Sequence, residues 1–178
     1  MNTKAQPTRN LLAICLDSGD TLVDEGTEIK DARGAVLEAE LIPGAAALVQ
    51  QIKQRGYPLA LVADGPAATF HNVLGHYGLY DLFDAWAISE LVGAEKPDAA
   101  MFQTALAQLA IAPADYGRVM MVGNNLSRDI LGANRLGLIS VWIDWAPRRA
   151  KTPANALETP DYTIKTPLEL LSLIDELA

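Results

Sequence analysis

The residues in this chain best suited to chemistry come in four short clusters, each at the end of an apolar run. The run 11–16 ends in Asp17, and the chain then turns through Gly19 and Asp20 to Thr21. The run Leu59–Ala63 leads into Asp64-Gly65, and Val119–Val122 leads into Gly123-Asn124-Asn125, with Asp129 close behind. Between the last two lies Glu95-Lys96-Pro97-Asp98, where the proline biases Lys96 toward extended backbone just before a helix start. A short apolar run bounded by turn residues reads as a strand buried on both faces. Acids at the carboxyl ends of such strands sit where open α/β sheets place their ligands. A lone Asp there would equally well be a cap or turn residue. Two carboxylates and a lysine brought together would form a cleft for a cation and an anion.

The elements that must position these groups alternate along the chain. Strands are expected at 11–17, 58–63, 85–89, 118–122 and 139–144, with Tyr162–Ile164 as an edge strand. Helices are expected from Pro43-Gly44 to Arg55-Gly56, then one closed by Gly78, then at 98–110 and 127–136, and finally near the carboxyl terminus. The second carries Phe70, Val73, Leu74 and Tyr77 as a core stripe, and the last puts Leu170, Leu173, Ile174 and Leu177 on one face. Such alternation implies a mostly parallel sheet covered by helices on both faces.

This ordered series of acid, strand end, lysine and acid-amide cluster resembles the haloacid dehalogenase superfamily, a group made up mostly of magnesium-dependent phosphatases. The resemblance covers residues 11–177. It implies a three-layer α/β/α, Rossmann-like single domain over 1–178, with 1–10 as an N-terminal tail. It further implies Asp17 as the nucleophile forming an aspartyl-phosphate, Lys96 as the screening lysine and Thr21 as a residue that fixes the loop. Magnesium would be held by Asp17, the backbone carbonyl of Gly19, Asn124 and Asp129. Phosphate contacts would come from Lys96 and from the segment Ala63, Asp64 and Gly65, whose backbone amides remain available.

Three positions depart from the superfamily pattern. The second aspartate, which serves as general acid and base, is replaced by Gly19, and an aspartate stands one place later as Asp20. The hydroxyl residue at the second strand end is Ala63, and the first acid of the last motif is Asn124. General acid–base help is worth about 10²–10⁴-fold, and one lost donor costs about 10²-fold or more. The expected enzyme is therefore slow and best suited to activated phosphate esters. The alternative is a catalytically impaired binding or regulatory protein; dehalogenase, phosphonatase, mutase and receiver-like roles also remain open. The stretches 23–42 and 64–95 are too short for a sizeable cap. A capless, open site points to a macromolecular phosphorylated substrate, or to a homo-oligomer whose neighbouring subunit covers the site. The acidic excursion 23–40 reads as a solvated flap and helix.

Composition sets outer bounds. The 178 residues suffice for one domain burying roughly 70% of its unfolded surface. A net charge of −8 argues against nucleic-acid binding. The one basic cluster, Arg148, Arg149 and Lys151, reads as a solvated loop or as an anion-attracting rim. No apolar run approaches the ~18 residues of a membrane span, and Met1–Asn10 lacks a signal-like apolar region. The single cysteine, Cys15, reads as a core thiol, and a cytoplasmic location is the default. His71 and His76 fall on different sides of a helix, and Trp145 is a candidate for the site mouth.

Overall fold

The apolar runs that end in motif residues become neighbouring parallel strands in a computed structural model, which describes residues 10–178. The expected tail at 1–10 lies almost wholly outside the described residues. In chain order the strands are β1 (Ala13–Leu16), β2 (Ile29–Lys30), β3 (Val36–Glu38), β4 (Leu59–Ala63), β5 (Ala85–Ile88), β6 (Val119–Gly123), β7 (Ile139–Ile143) and β8 (Tyr162–Ile164). The helices are α1 (Ala45–Gln54), α2 (Ala67–His76), α3 (Ser89–Val92), α4 (Ala99–Gln108), α5 (Leu131–Leu136) and α6 (Glu169–Leu177).

Six strands form one parallel sheet in the order β5-β4-β1-β6-β7-β8. Both faces of the central strands β1, β4 and β6 are buried because these strands are apolar at every position rather than at alternate ones. Ile14, Leu16, Leu59 and Leu61 pack with residues of α1, α2 and α6 on one side. Ala13, Cys15, Ala60 and Val62 pack with α4 and α5 on the other. The small residues on this second face allow close approach, and Gly132 of α5 extends it: a Cβ there would lie 2.3 Å from the Phe102 ring. Cys15 is a buried free thiol, and burial pushes its pKa up to about 12. Among the described residues no helix is long and apolar enough to cross a membrane.

Chain order reverses around β1, which has β4 on one side and β6 on the other. Their register aligns Leu16 with Leu61 and with Val122, so the carboxyl ends of the three strands open side by side. That is the switch point at which doubly wound sheets bind ligands.

Four expectations are corrected. The excursion 23–40 contains no α-helix; a 3₁₀ turn at Glu25–Thr27 leads into an antiparallel hairpin of β2 and β3. The Asp31 carboxylate accepts from the amides of Arg33 and Ala35 and closes the hairpin turn, where Gly34 has φ 85°. The helix expected at 127–136 begins instead with a π-type turn over Leu126–Ile130 before α5. Tyr77 leaves the core stripe because α2 ends at His76; it is exposed, and its hydroxyl donates to the Ala39 carbonyl at 3.0 Å. Trp145 packs against the core and does not line the cleft at the strand ends.

Candidate active site

Asp17, Gly19, Asp64, Lys96, Asn124 and Asp129 line one cleft of about 440 Å³ at the switch point. Asp17 follows β1 directly, and its amide donates to the Val122 carbonyl at 2.9 Å, which fixes it against β6. Asp129 is carried back under the β6 tip by the π-type turn, where the Asn125 carbonyl accepts from Arg128, Asp129 and Ile130. Gly123 makes this return possible, since a Cβ there would lie 2.3 Å from the Asp129 carboxyl carbon. Wide turns of this kind often mark functional sites. Asn125 completes the turn by donating its amide to Asp129 Oδ2 at 2.9 Å.

Lys96 joins the two acids. Its ammonium donates to Asp17 Oδ1 at 2.7 Å, Asp129 Oδ1 at 2.7 Å and the Val62 carbonyl at 2.9 Å, using all three of its protons. Lysine, aspartate and aspartate are all buried. When both carboxyls are ionised, one shared ammonium leaves the cluster one negative charge in excess. Burial, and then the nearby Asp129 charge, push the Asp17 carboxyl above the usual range, while Lys96 opposes both. For Lys96, burial works against the ammonium but is outweighed by Asp129 and Asp17, so its pKa is raised and it stays charged.

The oxygen-bearing residues lining the cleft include Asp17, Asp129, Gly19 and Asn124, the set expected to hold a cation, together with Glu25, Asp64 and Asn125. Among the described residues no three His, Cys, Asp or Glu side chains converge as a cation cage. Oxygen-rich sets with few charged ligands suit magnesium, which retains several waters. Asn124 is buried with its Nδ2 unpartnered, while its backbone carbonyl accepts from Trp142 Nε1 at 3.0 Å. Nδ2 is a donor only, so the atom of this side chain able to ligate a cation is its amide oxygen.

The other expected residues separate. Asp64 faces the cleft, accepting from the Lys96 amide at 3.0 Å and from Arg128 Nη1 at 3.0 Å. Ala63 is buried in β4, and the Gly65 amide, expected to remain available to phosphate, donates to Ser89 Oγ at 2.9 Å. Neither Ala63 nor Gly65 lines the cleft. Thr21 is buried in the loop, and its hydroxyl has no partner. Asp20 has φ 51° and both oxygens engaged, one by the Glu25 amide at 3.2 Å and one by Arg148 Nε at 2.8 Å. Burial, followed by the Glu25 charge, raises its pKa to about 6. Asp20 is thus tied into the flap and does not line the cleft. Of the basic cluster only Arg149 reaches the cleft; Arg148 binds Asp20 and Asp24, and Lys151 binds Asp144.

Four cleft residues carry little signal in the sequence: Glu25, Phe70, Asn125 and Arg128. Phe70 reads as core from its helical spacing, and Glu25 reads as one solvated acid among several. Arg128 is detectable only by its place beside Asp129.

A family model described as haloacid dehalogenase-like hydrolase matches residues 3–137. The chain belongs to the haloacid dehalogenase-like hydrolases. A glyceraldehyde 3-phosphate phosphatase of Methanopyrus kandleri is 34% identical over 130 residues, covering 73% of this chain and 54% of that protein. The solved haloacid dehalogenase-like phosphatase of Thermococcus onnurineus is 29% identical, with a TM-score of 0.66 over 76% of this chain and 59% of its own. The chain spans about half the length of the curated relatives it matches. An uncharacterized Listeria monocytogenes protein shares the fold at nearly full length, with a TM-score of 0.72 over 93% of this chain and 99% of its own at 24% identity. The chain therefore has the three-layer fold of its family, and between β1 and α1 it carries a small insertion, a 3₁₀ turn and the β2–β3 hairpin.

Proposed function

We propose that this chain is a magnesium-dependent phosphatase that works through an aspartyl-phosphate on Asp17, with slow turnover and a preference for activated phosphate esters. The observation that carries this reading is the Lys96 ammonium held at 2.7 Å from both Asp17 and Asp129 at the switch point. Asp17 Oδ2, the oxygen not engaged by Lys96, attacks phosphorus. Lys96 keeps Asp17 oriented and screens its charge from the incoming phosphate. Asp17, Asp129, Asn124 and the Gly19 carbonyl would hold magnesium, which when bound supplies the positive charge that lets a carboxylate approach an anionic ester. Arg128 and Arg149 at the rim favour an anion, although both are already paired, with Asp64 and Glu25. An activated leaving group departs without a proton, which suits a site whose Asp20 is committed elsewhere.

The phosphatase names carried by relatives support a phosphorylated substrate. The cleft of about 440 Å³ exceeds a phosphate group alone, and the small hairpin beside it leaves room for a phosphorylated macromolecule or for a small ester covered by a second subunit. The direct test is release of nitrophenol from 4-nitrophenyl phosphate. Release that depends on added magnesium and stops with chelator is the expected result. No release at any magnesium concentration would favour a binding or regulatory protein instead.

A further inference from the structure

The side chain that the family pattern places at position 19 is missing, but the space it would fill is occupied. A Cβ built on Gly19 would lie 2.2 Å from Glu25 Oε1 and 2.9 Å from Glu25 Cδ. Glu25 arrives from the 3₁₀ turn of the flap and lines the same cleft as Asp17 and Lys96. Any side chain at position 19 would displace it, so the glycine and the glutamate form a matched pair.

Several contacts hold this carboxylate in place. The Glu25 amide donates to Asp20 Oδ1 at 3.2 Å, and Arg149 Nη2 donates to both carboxylate oxygens, at 3.0 and 2.8 Å. The turn itself is capped by Asp24, whose Oδ1 accepts from the Gly26 amide at 2.8 Å and from Arg148 Nη2 at 2.7 Å. A carboxylate has about four lone-pair positions, so pairing with Arg149 leaves Glu25 able to accept a proton. The buried Asp20, at φ 51°, is explained by the same arrangement: it anchors the flap that delivers Glu25.

We propose that Glu25 is the general base that drives hydrolysis of an aspartyl-phosphate on Asp17. This rests on the phosphatase reading above. A water oxygen bonds to phosphorus while the bond from phosphorus to the Asp17 carboxylate oxygen breaks. The electron pair of that bond returns to Asp17, inorganic phosphate leaves, and the water's proton passes to Glu25 and then to solvent.

The test separates the two half-reactions. Protein is loaded with acetyl phosphate and magnesium, desalted, and quenched in acid at intervals for intact mass. Acetate departs unprotonated, so Glu25→Gln should load at least as fast as the parent, yet lose its phosphoryl group about 10²–10⁴-fold more slowly. Restoring a carboxylate from the other side, in the double variant Glu25→Ala with Gly19→Asp, should bring rapid loss back. Equal decay in parent and Glu25→Gln overturns the role of Glu25 and leaves the nucleophile intact. Equal slowing of loading and decay marks Glu25 as a strut of the flap and also overturns it. A parent protein that takes up no phosphoryl group overturns the phosphatase reading, and this inference with it.

Discussion

Replacing Asp17 with asparagine is expected to abolish phosphoryl uptake and lower turnover of 4-nitrophenyl phosphate by about 10⁴–10⁶-fold, the range seen when a covalent-catalysis residue is removed. The fold should persist. The asparagine amide oxygen can still accept from Lys96, and Asp129 keeps its own bond to the ammonium at 2.7 Å. The change also removes one of two carboxylates that repel each other in a buried site. A thermal midpoint close to that of the parent, together with lost turnover, is the expected pair of readings. Residual turnover within tenfold of the parent would show that another group does the chemistry.

Lys96→Met should show the opposite pattern, with stability lost as well as activity. It leaves Asp17 and Asp129 facing each other, both buried, with no cation between them. Removing one partner from a buried ionic cluster costs about 3–5 kcal/mol, a large part of a small domain's stability. Urea denaturation should register this as a lower midpoint. The pH dependence has a definite sign. Without the opposing ammonium the Asp17 carboxyl, raised by burial and by the Asp129 charge, binds its proton more tightly in the folded state than in the unfolded chain. Stability of the variant should therefore fall as pH rises from the ordinary carboxylate value near ~4 through the raised folded value of Asp17, and recover as pH is lowered. An unchanged midpoint at neutral pH would contradict the burial and pairing described here.

The parts of this molecule legible in its sequence are those fixed by strand ends. An apolar run that stops at an acid says both where a strand lies and which end of the sheet it faces, so Asp17 and Asp64 could be assigned to one rim. Lys96 and Asp129 join them through the motif order that resembles the haloacid dehalogenase superfamily; the proline after Lys96 by itself implies only extended backbone. What escaped were residues whose role depends on contacts across the chain. Glu25 is one acid in a polar stretch, and only the folded hairpin carries it over Gly19. Gly19 itself reads as a lost side chain, whereas in three dimensions it is a space filled from elsewhere. The Gly65 amide appeared free for phosphate because nothing in its own segment predicts Ser89 as its partner. The π-type turn before α5 is invisible to helical periodicity, since Leu126 and Ile130 are buried in either geometry. Asp20 was ambiguous by position alone, and its bonds to Glu25 and Arg148 decide it.

The central claim is that Asp17 carries a phosphoryl group during turnover. Incubating the protein with acetyl phosphate and magnesium, quenching in acid, weighing it intact and mapping the modified peptide tests this directly. One added phosphoryl group on the peptide containing Asp17, absent from Asp17→Asn, is the predicted result. An unchanged mass, or a phosphoryl group mapped to any other residue, would contradict it.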